Sequence, residues 1–321
     1  MIVYAARRFI ASIPVLAGVA TLIFFVMRII PGDPAEIMLS GGPGATEEEV
    51  QRLRHQLGFD EPLVRQYWDF VSNAVRLDLG RSYQAAGNSV TSLISDQLPA
   101  TVQLTVAAAL VGSLLGIGLG TLAATRRNSI VDRAAMLFAV AGVSIPGFWL
   151  GIVFILLFGV QLGWLPVTSS RAPDSFAAMF DPSTFSSLIL PALTLGLALS
   201  AGVARLVRSG MVEVLWQDYI RTARAKGLGG RAVLWRHALR NSLIPSLTLL
   251  GIQVGAILGG AVITETVFAR PGVGRLLVGA IGQKDIPVVQ GVILLIAAFH
   301  ILLNLAVDLS YGLLDPRVRS A

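Results

Sequence analysis

Apolar positions along the chain gather into six long runs, at 9–30, 100–124, 134–161, 187–207, 243–264 and 289–311. A hydrocarbon core of about 30 Å requires roughly 20 apolar residues in helical conformation. Inside lipid every backbone amide must find its partner within the segment, so each run predicts a transmembrane helix. Pro99, Pro191 and Pro245 stand at or near the start of a run, where a missing N–H has no intrahelical partner to lose. Pro146-Gly147 falls inside the third run and predicts a kink there. Arg7 and Arg8 ahead of the first run imitate a secretory signal. The run nevertheless exceeds the roughly 7–15 residues of a cleavable apolar core, and it is read as a retained helix. The predicted fold is therefore all-α: a polytopic membrane protein with six transmembrane helices.

Two polar stretches are long enough to hold structure of their own. The first divides the chain into a first helix at 1–30, a helical region at 31–98 and a core at 99–321. In the helical region, Thr46 and Glu49 have capping-box spacing, Val50, Leu53 and Leu57 recur at helical intervals, and Gly58 marks an end. A second helix opens at Pro62 and is expected to bury Leu63, Tyr67, Phe70, Ala74 and Leu77. The second polar stretch, 208–242, reads as a helix to Lys226, a corner at Gly227, Gly229 and Gly230, and a further helix from Arg231 to Asn241. Within the runs, small residues repeat every four positions: Gly112, Gly116, Gly120; Ala192, Gly196, Ser200, Ala204; Gly251, Gly255, Gly259. Such stripes let helix backbones approach closely where lipid offers no hydrophobic drive to association.

Composition agrees with a membrane location. Of 321 residues, 54% are hydrophobic and 14% charged, more apolar surface than one water-soluble core can bury. The net charge of +6 does not indicate nucleic acid, because the basic residues sit between apolar runs without interleaved aromatics. With both termini cytoplasmic, the inner segments collect Arg126, Arg127, Arg133, Arg205, Arg208, Arg221, Arg224, Lys226, Arg231, Arg236, Arg240, Arg317 and Arg319 beside Arg7 and Arg8. The acidic residues there are only Asp132, Glu213, Asp218 and Asp315, and the positive-inside rule supports that orientation.

No cysteine occurs, so disulfides, thiolate catalysis and cysteine-ligated metals are excluded. The only lysines, Lys226 and Lys284, do not sit in a phosphate-binding loop. His55, His237 and His300 make no metal-binding pattern and no nucleophile elbow is present. The chain is read as neither an enzyme nor a metal or cofactor binder. Polar residues inside the runs are the remaining candidates: His300, Asn304 and Asp308 lie at i, i+4 and i+8 on one face of the last helix. They suit either an ion pair with an inner arginine or a proton relay. Gln103 and Gln253 suit either a pathway lining or interhelical hydrogen bonds.

Seven phrases give a more specific indication: RRFIASIPVLAGVATLIFFVMRIIPGDP (Arg7 to Pro34), DLGRSY (Asp78 to Tyr83), LPATVQLT (Leu98 to Thr105), SIPGFWLGI (Ser144 to Ile152), DYIRTARAKGL (Asp218 to Leu228), ETVFARPGVGRLL (Glu265 to Leu277) and VDLSYGLLDPRVR (Val307 to Arg319). In their order and spacing the chain resembles, along nearly its whole length, the permease subunits of binding-protein-dependent ABC importers of the dipeptide, oligopeptide and nickel group. The resemblance implies the type I importer permease architecture in a bacterial inner membrane. It implies a second, related permease, two ATP-binding subunits that carry ATP and Mg, and an external solute-binding protein. The family's E-A-A-x-x-x-G coupling motif falls on Arg221, Thr222, Ala223 and Gly227, with Arg221 in place of Glu and Arg240 in place of a later Pro. Thr222, Ala223, Ala225, Gly227 and Leu228 are the implied coupling residues. Peptide is the first expectation for the solute, with glutathione and nickel chelate as alternatives. A proton-driven secondary transporter using His300 and Asp308, and a receptor built on 31–98, are the competing classes.

Overall fold

The computed structural model describes residues 2–29, 33–39, 46–84, 87–169 and 172–314. Helix α1 (Ile2–Ile29) leads into three short helices, α2 (Pro34–Leu39), α3 (Glu47–Gln56) and α4 (Leu63–Val75). Then follow α5 (Val90–Thr125), α6 (Ile130–Ser144) and α7 (Gly147–Phe154), the last continuing as a π-helical stretch over Ile155–Gln161. Short 3-10 turns at Ala177–Phe180 and Pro182–Thr184 precede α8 (Phe185–Leu215). The chain ends in α9 (Asp218–Ala225), α10 (Gly230–Ala232) with a π-helical stretch over Val233–Leu239, α11 (Arg240–Val267), α12 (Val273–Gly282) and α13 (Ile286–Leu314). No strand forms among the described residues.

Among the described residues, four helices are long and apolar enough to cross a bilayer: α1 over Arg7–Ile29, α5, α8 with its preceding turn, and α13 over Ile286–Ala306. The third predicted run is not one rod. It is split into α6 and α7, bent by 102°. Pro146 has no N–H to continue the ladder, and Ile145 before it is pushed to an extended φ of −84° and ψ of 124°. The fifth run lies inside α11, an unbroken helix of 28 residues, with the side chains at 244–250, including that of Pro245, outside the described residues.

Two of the prolines also sit differently from expectation. Helix α5 starts at Val90 and α8 at Phe185, which places Pro99 and Pro191 in helix interiors. Pro191 leaves the Ser187 carbonyl without its helical amide, and the hydroxyl of Ser169, from the preceding loop, donates to that carbonyl instead.

The bundle is centred on α5 and α8, whose backbones touch through the expected small residues. A Cβ at Gly112 would fall 2.7 Å from the Gly196 carbonyl, one at Gly116 would fall 2.5 Å from Val203 Cβ, and one at Gly120 would fall 2.6 Å from the Ala204 carbonyl. The stripe on α11 is less uniform. Gly255 accommodates the His300 imidazole, 2.8 Å from an added Cβ, whereas a Cβ at Gly259 would meet nothing within 4 Å among the described residues.

In the region after α1, the capping box of α3 forms as expected: the Glu49 amide donates to Thr46 Oγ1 and the Thr46 amide donates to Glu49 Oε2 at 2.9 Å. The hydrogen bond from the Thr46 amide holds the Glu49 carboxyl below its ordinary range. Helix α4 packs on α1 more narrowly than its pattern implies. Tyr67 and Phe70 stack around Phe24, and the Tyr67 hydroxyl pairs with Thr21 Oγ1 at 2.7 Å. Leu63 and Leu77, expected to be buried, are exposed. Leu63 lies in the first turn, and Leu77 lies past the helix end in the left-handed region, φ 61°, so neither reaches α1.

Candidate functional site

Chemistry-bearing side chains collect at the two ends of the bundle. At one end α8 stops at Leu215, Gln217 turns extended, and α9 forms an elbow with α10. Gly227 makes the corner at φ +80°, a conformation that favours glycine. The expected helix to Lys226 is thus interrupted at Trp216–Gln217. The second one does not end at Asn241 but runs directly into α11.

The elbow has two unlike faces. Ile220 and Ala223 of α9, with Val233, Ala238 and Leu239, are buried in the same core as Val203, Val207 and Met211 of α8. On the other face Trp216 (74% exposed), Trp235 (57%), Tyr219 and Leu228 stand in the open beside exposed Arg221, Arg224, Lys226, Arg231 and Arg236. Four of the expected coupling residues, Thr222, Ala225, Gly227 and Leu228, are exposed, while Ala223 points into the core. The Tyr219 hydroxyl accepts from Asn241 Nδ2 at 2.8 Å and ties α9 to the start of α11.

At the opposite end a buried polar latch joins α5, α11 and α12. Glu265 and Arg270 are both 0% exposed. Thr101 Oγ1 donates to Glu265 Oε1 at 2.6 Å and accepts the Val273 amide at 2.8 Å. Glu265 Oε2 accepts the amides of Gly274 at 2.8 Å and Arg275 at 3.1 Å. The first amides of α12, which no helical carbonyl can reach, are therefore satisfied by a carboxylate and a hydroxyl, and the carboxylate meets the positive end of the helix. Glycine at 272 and 274 is required by proximity: a Cβ on Gly272 would lie 2.2 Å from the Glu265 carboxyl carbon, and one on Gly274 would lie 2.4 Å from Val262 Cα.

Gln103 belongs to this latch. Its Oε1 accepts from Arg270 Nη2 at 2.5 Å, and its Nε2 donates to the Met179 carbonyl at 2.7 Å and to Thr184 Oγ1 at 3.0 Å. Both of its polar atoms are thus engaged between elements. Gln253 lies across the interface from Gly202, whose added Cβ would fall 2.2 Å from its Oε1. His300 packs on Gly255, Asn304 is half-buried one turn further, and the Asp308 side chain lies outside the described residues.

Glu265, Arg270 and Thr101 are not among the residues singled out from the sequence. The available signal was an acid and a base five residues apart beside Pro271-Gly272, at the end of an apolar run. A third polar link ties the loop between α4 and α5 to the turn between α12 and α13: Ser82 Oγ donates to Asp285 Oδ2 at 2.5 Å and the Tyr83 amide donates to Oδ1 at 3.1 Å. Burial, reinforced by the Asp285 charge and opposed by Arg28, pushes the Tyr83 phenol well above the ordinary tyrosine range.

Helices long and apolar enough to cross a bilayer, with a two-faced elbow at one end and a buried polar latch at the other, make a multi-pass membrane domain. The fold is similar to that of a chain in the solved inward-facing MetNI methionine ABC transporter, with a TM-score of 0.52 and 20% identity over 67% of this chain and 93% of that one. The chain belongs to the binding-protein-dependent transport system inner membrane component family, which residues 116–320 match, while residues 1–105 match its N-terminal family. It is 42% identical to the di/tripeptide transport system permease protein DppB of Pseudomonas aeruginosa, over 99% of each chain. It is also 42% identical to the probable peptide ABC transporter permease protein y4tP of Sinorhizobium fredii and 40% identical to the glutathione transport system permease protein GsiC of Escherichia coli, again over 99% of each chain.

Proposed function

We propose that this chain is the membrane-spanning permease subunit of an ATP-driven importer of di- and oligopeptides, a class to which the tripeptide glutathione also belongs. It forms the translocation pathway with a second permease. Both termini and the elbow lie on the cytoplasmic side, and an external binding protein delivers solute from the other side. ATP and Mg are bound by separate subunits, which seat α9 and the corner at Gly227. Alternating access follows when those subunits push the elbow and rock the helices around the pathway.

The observation that carries this reading is the division of the elbow into a face continuous with the α8 core and a face of exposed aromatics and cations. A load applied to the second face is delivered directly to the first. The chain, co-reconstituted with its ATPases, second permease and binding protein, is expected to take up peptide only with ATP. Gly227→Trp should keep ATP hydrolysis while uptake falls by about tenfold or more, because the corner is strained and a bulky group stands in the contact. Gly227→Asn, which tolerates the left-handed region, should restore most of the uptake. Full uptake by Gly227→Trp, or uptake by this chain alone driven by a proton gradient, refutes the assignment.

A further inference from the structure

Outside both ends of this machinery lies a cavity of about 780 Å3 between α1, the short helices after it and the first two turns of α13. Among the described residues none from α6 to α11 lines it, so it is peripheral to the helices that form the bundle centre. Its walls are mostly apolar, and Phe25 and Ile29 in its lining also belong to the exposed apolar face of α1, 49% and 80% exposed. The cavity therefore opens where a membrane-crossing helix leaves the hydrocarbon.

The charges in it are not all spoken for. Arg54 is neutralised by Asp33 at 2.9 Å and Asp60 at 3.3 Å. Arg28 is different: it donates to the Phe24 carbonyl at 3.1 Å and to Gln66 Oε1 at 2.6 Å, and it lies 3.4 Å over the Phe24 ring, without a carboxylate partner among the described residues. Gln290 is 9% exposed and its Nε2 has no hydrogen-bond partner among the described residues. A buried amide donor left open is costly unless something accepts from it. Asp78, across the same cavity, accepts the Gly80 amide at 3.0 Å and makes no ion pair among the described residues. A guanidinium without a carboxylate partner and an open amide donor thus share a mostly apolar cavity with a carboxylate outside any ion pair, among the described residues.

We propose that this cavity binds the headgroup of a zwitterionic phospholipid with a primary ammonium, of the phosphatidylethanolamine type, from the leaflet on that side, the outer one in the orientation proposed above. The phosphate accepts from Arg28 and Gln290, the ammonium donates to Asp78, and an acyl chain lies along the exposed stripe of Leu22, Phe25 and Ile29. Arginine at the end of an apolar helix matches phosphate with several donors at once. A quaternary choline has no N–H to give to Asp78, so the site discriminates between the two common zwitterionic headgroups.

The full chain, purified in mild detergent with equal amounts of dioleoyl phosphatidylethanolamine, phosphatidylcholine and phosphatidylglycerol, is to be examined by native mass spectrometry. The ethanolamine lipid should be retained about tenfold over the choline lipid, a difference of one charge-assisted hydrogen bond. Arg28→Gln should lower its retention about tenfold, and Asp78→Asn should leave binding but abolish the preference for ethanolamine over choline. Circular dichroism checks that each variant is folded, and if Arg28→Gln is not, Asp78→Asn alone decides the outcome. Equal retention of the three lipids by the unmodified chain, or an Asp78→Asn variant that keeps its selectivity, overturns the proposal. Displacement of the lipid by millimolar trialanine or inorganic phosphate would do the same, by giving the cavity to a soluble zwitterion or anion.

Discussion

Arg208 grips Asp132 with two parallel hydrogen bonds, Nε to Oδ1 at 2.6 Å and Nη2 to Oδ2 at 2.7 Å. Asp132 is 3% exposed, in the first turn of α6, and its Oδ2 also accepts the Asn128 amide at 2.9 Å. Arg208 stands two turns before the end of α8. The pair therefore fixes the α5–α6 turn to the helix that carries the elbow. Two-pronged geometry of this kind is specific as well as strong.

Removing one partner should be more harmful than removing both. Asp132→Asn leaves a guanidinium without its counter-charge and is expected to destabilise the chain by about 2–3 kcal/mol. The double change Asp132→Asn with Arg208→Gln should recover part of that loss. Thermal unfolding in detergent, followed by tryptophan fluorescence, measures both; equal midpoints for all three chains would mean that the pair contributes nothing.

Close contact of α5 with α8 predicts asymmetric tolerance along a single helix. Gly116→Leu must push Val203 and the Ser200 carbonyl aside and should lose at least about 1–3 kcal/mol, visible as aggregation in size-exclusion chromatography. At Gly118, by contrast, an added Cβ meets nothing within 4 Å among the described residues. Gly118→Ala should elute as the unmodified chain does.

The latch at Glu265 predicts a graded series. Glu265→Ala strands two α12 amides and the Thr101 hydroxyl in a dry interior and should cost about 3 kcal/mol or more. Glu265→Gln keeps one acceptor and should fall between that variant and the unmodified chain. Limited proteolysis between α11 and α12 reads the effect, and identical digestion rates for the three chains would contradict it.

Tyr83 gives a pH dependence with a definite sign. Its phenol titrates higher in the folded chain than in the unfolded one, where it lies near 10. Its contribution to stability is thus fully present below about pH 10 and is lost as pH rises from there through the folded value. Tyr83→Phe, which has nothing to ionise, should unfold at a higher pH than the unmodified chain in an alkaline titration followed by circular dichroism. A midpoint that stays or drops would show that Tyr83 does not resist ionisation.

Much of this architecture was legible in the residues because lipid imposes a simple rule. An apolar run of sufficient length must be helical, and the glycines four apart at Gly112, Gly116 and Gly120 do face a neighbouring helix, although Gly259 of the α11 stripe meets none among the described residues. The positive-φ corner at Gly227 and the cap at Thr46 were visible for the same local reasons. What escaped detection depends on contacts distant in sequence. Nothing near Glu265 announces that Thr101, 164 residues away, will complete the cap of α12. Pro191 reads as a helix start until Ser169 is found supplying the missing donor. Hydropathy also exaggerates burial at Leu63 and Leu77, since an apolar residue on a short surface helix is buried only if a neighbour happens to reach it.

Because α10 passes through its π-helical stretch into α11 with no loop between them, Trp235 and Glu265 ride on one shaft of roughly 45 Å, at about 1.5 Å per residue. Backbone continuity alone therefore connects the exposed tryptophan with the carboxylate at the far end, with no loop interposed. Under the alternating-access mechanism proposed above, opening on one side and closing on the other would be two readings of a single axle's angle.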